Sequence, residues 1–186
     1  MILPIYTYGQ GVLRRECEEI EPGHPGLEQL IADMWETLAK SEGIGLAAPQ
    51  VGQALRLAVI DLRPLADDFP EYTDFRQVYI NPYIEEYDET EKDTSDEGCL
   101  SLPGLHEKVT RPTRIRVSWQ DENFAEHEEW VTGYLARVMQ HEFDHLDGVL
   151  YTDRVKGLRR QLLMPKLQGL QKGKFSCSYK VKALHK

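Results

Sequence analysis

The stretch Q-H-E-F-D-H-L-D-G-V-L-Y, residues 140–151, sets two histidines four positions apart, with a glutamate directly after the first. On a helix each residue advances about 100°, so His141 and His145 lie about 40° apart on one face, where both imidazoles reach one metal ion. Glu142 stands about 60° round from His145, pointing past such an ion, which suits a base acting on water better than a ligand. Longer zinc-binding forms of the pattern place a third histidine six residues after the second. Here Gly148 of that extension is present, but the ligand position holds Tyr151. A bare H-E-x-x-H arises by chance, and two ordinary helix histidines are the competing explanation. Its setting argues against chance: Leu135, Val138, Met139, Glu142 and His145 form one stripe on a helix that Thr132 and Gly133 open and Gly148 closes from the C′ position. The third ligand must come from elsewhere.

Two other stretches carry chemistry. Acidic loops offer carboxylates, while S-D-E-G-C-L-S-L-P-G-L (95–105) offers Cys99, after a flexible Gly98 and at the start of an expected strand. A lone cysteine is more often a small core residue. Beside two imidazoles, however, a thiolate is a strong ligand for Zn or Fe(II). The segment G-I-G-L-A-A-P-Q-V-G (43–52) carries no charge, and its glycines at 43, 45 and 52 let the backbone approach a ligand closely. Gln50 adds a neutral amide donor suited to a developing oxyanion, although a hydrated loop glutamine explains it equally well.

The 186 residues suit one domain, 1–186, and the composition (41% hydrophobic, 28% charged) is that of a globular chain. The start, M-I-L-P-I-Y-T-Y-G-Q, lacks the basic and long apolar regions of a signal peptide, and no apolar run nears the roughly 20 residues that cross a bilayer. A cytoplasmic protein without membrane contact is expected. Three cysteines at unrelated spacings argue against a disulfide framework. The net charge of −9 hides an asymmetry: from Arg154 onward there are ten Lys/Arg and no Asp/Glu, leaving twelve basic against thirty-one acidic groups before it. That split describes either a solvated basic helix offsetting an acidic body or a surface for nucleic acid.

Periodicity predicts an amphipathic helix over 27–39 with Gly43 as a stop signal, strands at 55–62 and 77–82, and a loop at 63–76. A hairpin joins R-I-R-V-S-W (114–119) to A-E-H-E-E-W-V (125–131), and the acidic run 85–97 reads as a solvated hairpin. A helix over 157–170 should bend or end early at Pro165. The tail alternates Phe175, Cys177, Tyr179 and Val181 against polar residues, predicting a strand with Cys177 as an inert core thiol.

Together, G-I-G-L-A-A-P-Q, E-G-C-L-S and Q-H-E-F-D-H, in this order and at these separations, resemble the three signature motifs of the peptide deformylase family, over a match running from about residue 3 into the helix near 157. The resemblance implies an α+β fold with antiparallel sheets around a central helix bearing H-E-x-x-H, a further C-terminal helix and a terminal strand. It implies removal of the formyl group from N-formylmethionine of nascent chains. It names Cys99 as the third ligand beside His141 and His145, holding one divalent ion: Fe(II) in the cell, with Zn or Ni in purified protein. Glu142 becomes the proton carrier, and Gln50 with the Leu100 N–H becomes the oxyanion donor pair. The backbone at Ile44, Gly45, Glu97 and Gly98 pairs with the peptide, while Ile44, Tyr134, Val138 and the His141 ring receive the methionine. Glu97 is expected to pair with Arg111, and Arg137 to lay its stem on the pocket with its guanidinium in water. The long 63–76 loop departs from the family and is expected to lie clear of the motifs.

Three alternatives remain. A metallopeptidase would need a cleft on both sides of the scissile bond. A ribosome-binding protein with a structural metal would need a fourth protein ligand. A Cys99–His hydrolase without metal would make H-E-x-x-H a coincidence. Partners implied are formylmethionyl nascent peptides and, through 154–186, the ribosome; free DNA is not among them.

Overall fold

The computed structural model of the chain describes residues 1–184. In chain order it comprises β1 (Ile5–Tyr6), α1 (Leu27–Lys40), β2 (Gly45–Ala47), β3 (Leu57–Asp61), β4 (Arg76–Cys99), β5 (Leu102–Gln120), β6 (Glu126–Thr132), α2 (Gly133–Leu146), α3 (Gly157–Gln171) and β7 (Val181–Lys182). Five strands form one antiparallel sheet in the order β2-β3-β4-β5-β6, and β1 and β7 form a separate parallel ladder. This is the mixed helix-and-sheet architecture expected.

Strand β3 explains how the layers stack. Its sequence L-A-V-I is buried throughout because both faces are covered. Leu57 and Val59 turn toward α1, packing with Ile31, Met34 and Leu38. Ala58 and Ile60 turn the other way into the cluster around α2, with Val138, Met139 and Phe143. Tyr79 meets Phe143 edge-on at 5.4 Å and Trp119 at 5.3 Å, so Phe143 anchors α2; its truncation to Ala would cost about 3–5 kcal/mol. A third cluster seats α3, through Leu163, Leu167 and Leu170, on the start of β5.

The long hairpin differs from expectation. β4 does not stop at Asn81-Pro82, and the acidic run 85–97 is not a hairpin in itself; it is the outer part of β4, paired along β5. Pro82 is tolerated because the register shifts there, between Ile80 and Tyr83. Asn81 adopts φ +50°, and its side chain closes the irregularity by bonding Ile20 and Gln120. Cys99 consequently ends a strand instead of starting one.

Helix α3 also continues through Pro165, which does not end it early. Pro165 faces solvent, where water satisfies the carbonyl that its missing N–H frees. In the tail, Phe175, Cys177, Tyr179 and Val181 are half-buried in alternation, but only Val181–Lys182 form a ladder. Cys177 is a half-buried thiol, not a core one. The 63–76 loop contains two short 3-10 turns and does reach α2: Tyr72 Oη accepts the Leu135 N–H at 3.1 Å, and Phe69 stacks on Tyr134 at 5.7 Å. Among the described residues no helix is long and apolar enough to cross a membrane.

Candidate active site

Helix α2 runs beneath β2 and the end of β4, and the three motifs meet there. Cys99, His141 and His145 each turn a donor atom inward, and all these atoms lie within 4.8 Å of one another. Cys99 Sγ is 3.4 Å from His145 Nε2. Burial and the charge of His141 push the His145 pKa well down, which keeps its ring neutral and its lone pair free. His141 Nδ1 bonds Glu97 Oε1 at 2.9 Å, so its Nε2 faces the cluster. Two imidazoles and a thiolate are a donor set suited to Zn or Fe(II). Among the described residues no fourth side chain joins the cluster, so the set fits an ion with an open position. Tyr151, standing where a third histidine was absent, stacks on the His141 ring at 5.7 Å and donates its hydroxyl to Leu105 O at 2.7 Å.

Behind His141 lies a buried ionic chain. Glu97 accepts from Arg111 Nε at 2.7 Å and Nη2 at 2.9 Å, as expected, and also from Arg137 at 2.6 Å. Burial alone would raise the Glu97 pKa; hydrogen bonds from His141 and Arg111 outweigh it and hold the carboxyl far below its ordinary range. Arg111 continues to Asp144 at 3.0 Å, and Asp144 to Arg154 at 2.7 Å. The expectation for Arg137 fails here. Its guanidinium is buried, bonding Glu97, Val109 O and Asp93 instead of water. Glu97, near the end of β4, is dry and draws the guanidinium inside, while the exposed Asp93 holds its outer edge. The clue was present in the sequence: an arginine four positions before His141 on a stripe that must be buried.

Glu142 is buried beside the cluster, and its Oε2 has no hydrogen-bond partner among the described residues. Burial, partly offset by His141, pushes its pKa up to about 7. A Cβ at Gly45 would come within 2.5 Å of Glu142 Oε1, so a glycine is needed for the carboxylate to fit. Gln50 is buried, with Oε1 fixed by the Ala47 N–H at 2.9 Å and Nε2 directed to Cys99 Sγ at 3.3 Å and Ser101 Oγ at 3.2 Å. A cavity of about 330 Å³ opens on these groups, lined by Ile44, Gly45, Glu97, Gly98, Leu100, Tyr134, Val138, His141 and, unforeseen, Tyr179 from the tail. The residues expected to hold the metal, the oxyanion and the peptide thus lie at one place.

A mixed α/β scaffold presenting a cysteine–imidazole cluster and a buried carboxylate at a cavity defines a class of sites suited to metal-assisted hydrolysis. Comparison with known proteins gives the particular family. The family model for polypeptide deformylase matches residues 2–161. A peptide deformylase of Salinibacter ruber is 45% identical over 185 residues, covering 96% of this chain and 93% of its own. One of Christiangramia forsetii is 42% identical over 189 residues, covering 98% and 96%. The crystal structure of peptide deformylase from Thermus thermophilus superposes with a TM-score of 0.80 at 39% identity, over 93% of this chain and 99% of that one. That of Synechococcus elongatus, in complex with actinonin, gives 0.79 at 36%, over 95% and 92%. The chain belongs to the polypeptide deformylase family, and it is an enzyme of the hydrolase class acting in protein biosynthesis.

Proposed function

We propose that the chain acts as one catalytic unit removing the formyl group from N-formylmethionine of newly made polypeptides in the cytoplasm, releasing formate. The observation that carries this reading is the unpartnered Glu142 Oε2, buried beside the Cys99–His141–His145 cluster at the floor of the cavity. A divalent ion held by those three residues, Fe(II) in the cell and Zn or Ni after purification, would supply Lewis acidity and ease ionisation of the attacking water.

The remaining work falls to the chain. Glu142 takes the proton of the water and delivers it to the leaving amine; burial favours its protonated form, which eases holding the proton between the two steps. The Leu100 N–H and the Gln50 amide hold the formyl oxygen as it gains charge. Glu97, fixed by Arg111 and Arg137, orients the His141 ring. Among the described residues the outer edge of β2 and the end of β4 away from β5 have no strand partner, so the backbone of Gly45, Glu97 and Gly98, with Ile44 bonded inward to Asp61 beside it, can receive an extended peptide. Ile44, Tyr134 and Val138 offer an apolar recess for the methionine side chain.

The test is anaerobic purification with metal analysis, followed by mass spectrometry of a formylmethionyl peptide and its unformylated counterpart. Loss of one formyl group from the first, with the second intact, is expected. Cleavage of the unformylated peptide would transfer the site to the metallopeptidases.

A further inference from the structure

Leu100 and Ser101 alone connect β4 to β5; one proposed oxyanion donor stands on this turn, and the other, Gln50 from the 48–51 turn, is tied to it. Leu100 offers its own N–H, while the Gln50 amide is held partly by Ser101 Oγ at 3.2 Å. The register shifts between Gly98 and Cys99, after which Cys99 opposite Leu102 closes the turn. Segments near both ends of the chain also hold it. The Tyr8 N–H donates to Ser101 O at 2.8 Å, and the Tyr179 hydroxyl donates to Leu100 O at 2.7 Å.

Those two ends are tied together. Strands β1 and β7 pair in parallel, with the Ile5 N–H on Lys180 O at 2.9 Å and the Thr7 N–H on Lys182 O at 3.2 Å. Tyr179 therefore reaches the turn from a segment anchored by its own ladder. Its half-buried ring packs beside Leu100 on the cluster under α1 and lines the cavity. It lies beyond residues 2–161, the span matched by the family model, so this contact is built by the tail that this chain adds to that span.

We infer that Tyr179 is a positioning residue: its hydroxyl pins the Leu100–Ser101 turn so that both oxyanion donors stay aimed where charge develops, and its ring walls the groove that receives the peptide. The inference rests on the functional reading above. An oxyanion donor works by being in place before charge appears. Removing one outright typically costs about 100- to 1,000-fold in kcat; letting its turn rock should cost less, about tenfold, with KM nearly unchanged because the interaction belongs to the transition state.

Tyr179→Phe keeps the ring and removes the hydroxyl, whereas Tyr179→Ala removes both. Each full-length variant is loaded with cobalt(II) beside the wild type, at a temperature well below every unfolding midpoint. Turnover of a formylmethionyl peptide is resolved into kcat and KM, and the thiolate–cobalt absorption is recorded. Tyr179→Phe should lose about tenfold in kcat, keep KM within about twofold, and leave the cobalt spectrum unchanged. Tyr179→Ala should add a rise in KM. Wild-type kcat in Tyr179→Phe overturns the inference. So does a loss accompanied by a shifted cobalt spectrum, which would trace the effect to Cys99. An inactive wild type overturns the functional reading, and this inference with it; an active wild type beside an unaffected Tyr179→Phe overturns the inference alone.

Discussion

Helix α2 buries eleven of its fourteen residues, and five of those are Arg137, Gln140, Glu142, Asp144 and His145. Helix α3 is one residue longer but buries only Leu163, Leu167 and Leu170, leaving Leu158 and Leu162 exposed on its outer side. Hydrophobic pressure alone would give the reverse arrangement of polar groups. Burying charge is costly unless every group is paired, and a paired set rarely stabilises more than apolar residues of the same size. The polar interior of α2 is therefore retained for what it positions. Glu97, Arg111, Arg137 and Asp144 satisfy one another around His141, while among the described residues of α2 the Glu142 Oε2 and the His145 Nδ1 are left without a partner. In α3, Lys166 meets water and Arg159 a single ion-pair partner, and only Arg160 reaches a buried carbonyl, that of Thr152.

The largest effects should come from breaking the α2 side of this contrast. Glu142→Gln should keep the metal but lose about 100- to 10,000-fold in kcat, because the proton carrier is gone while the ligands are intact. Near-normal turnover by a fully metallated variant would remove Glu142 from the mechanism. Cys99→Ala should then be read by metal titration under anaerobic conditions. Affinity should fall steeply, and the wild type should be air-sensitive with iron but resistant with nickel or cobalt, since an exposed iron thiolate oxidises. Wild-type metal affinity in Cys99→Ala would leave the site without its third ligand.

Comparing one arginine from each helix sharpens the contrast as an energy. Arg137→Met removes one of three partners from the buried Glu97 carboxylate, for a loss of about 2 kcal/mol in denaturant unfolding. Arg159→Met breaks only the surface pair with Glu107 and should cost less than about 0.5 kcal/mol. Equal costs would dissolve the distinction. Between the helices, Asp153 pairs with Arg14 at 2.5 Å. Burial would raise its pKa, but the Arg14 hydrogen bond outweighs that and holds it below the ordinary 3.8. A depressed carboxyl contributes in full above its unfolded value and loses that contribution as pH falls through the folded one. Asp153→Asn should therefore flatten part of the loss of stability below about pH 4, as followed by urea midpoints.

How much of this was legible in the sequence follows the same division. The α2 site could be read because helical period, a C′ glycine and H-E-x-x-H all fall within sixteen residues, Gly133 to Gly148. Strand β3 could be read because two covered faces leave an unbroken apolar run. The outer part of β4 could not: with both faces largely exposed over 85–96, alternation disappears into charge, and Pro82 and Pro112 look like terminators. Continuity of α3 through Pro165 depends on which face meets water, and that is fixed by packing on β5. The role of Tyr179 depends on pairing across the whole chain, between β1 and β7, for which local patterning carries no signal.

The smallest expected effect on catalysis concerns α3 itself and the segment from Arg154 onward, which has ten basic residues and no acidic ones. We propose that it meets ribosomal RNA while the acidic body faces away. The structure narrows which charges are free to do so. Arg154 is committed to Asp144, and Arg160 holds Thr152 O at 2.6 Å, so reversing either would disturb the fold. Lys156 and Lys166 are exposed and make no ion pair among the described residues, and Arg159 has a single surface partner. The variant to make is Lys156→Glu, Arg159→Glu and Lys166→Glu together. If each cation meets one phosphate, wild-type binding should weaken roughly 20- to 40-fold between about 50 and 200 mM salt, because each contact releases condensed counterions. The triple variant should co-sediment poorly with ribosomes even at low salt, yet turn over a short formylmethionyl peptide within about twofold of wild type, since none of the three touches the cavity. Undiminished co-sedimentation at low salt would return these charges to a solvated face that merely offsets an acidic body.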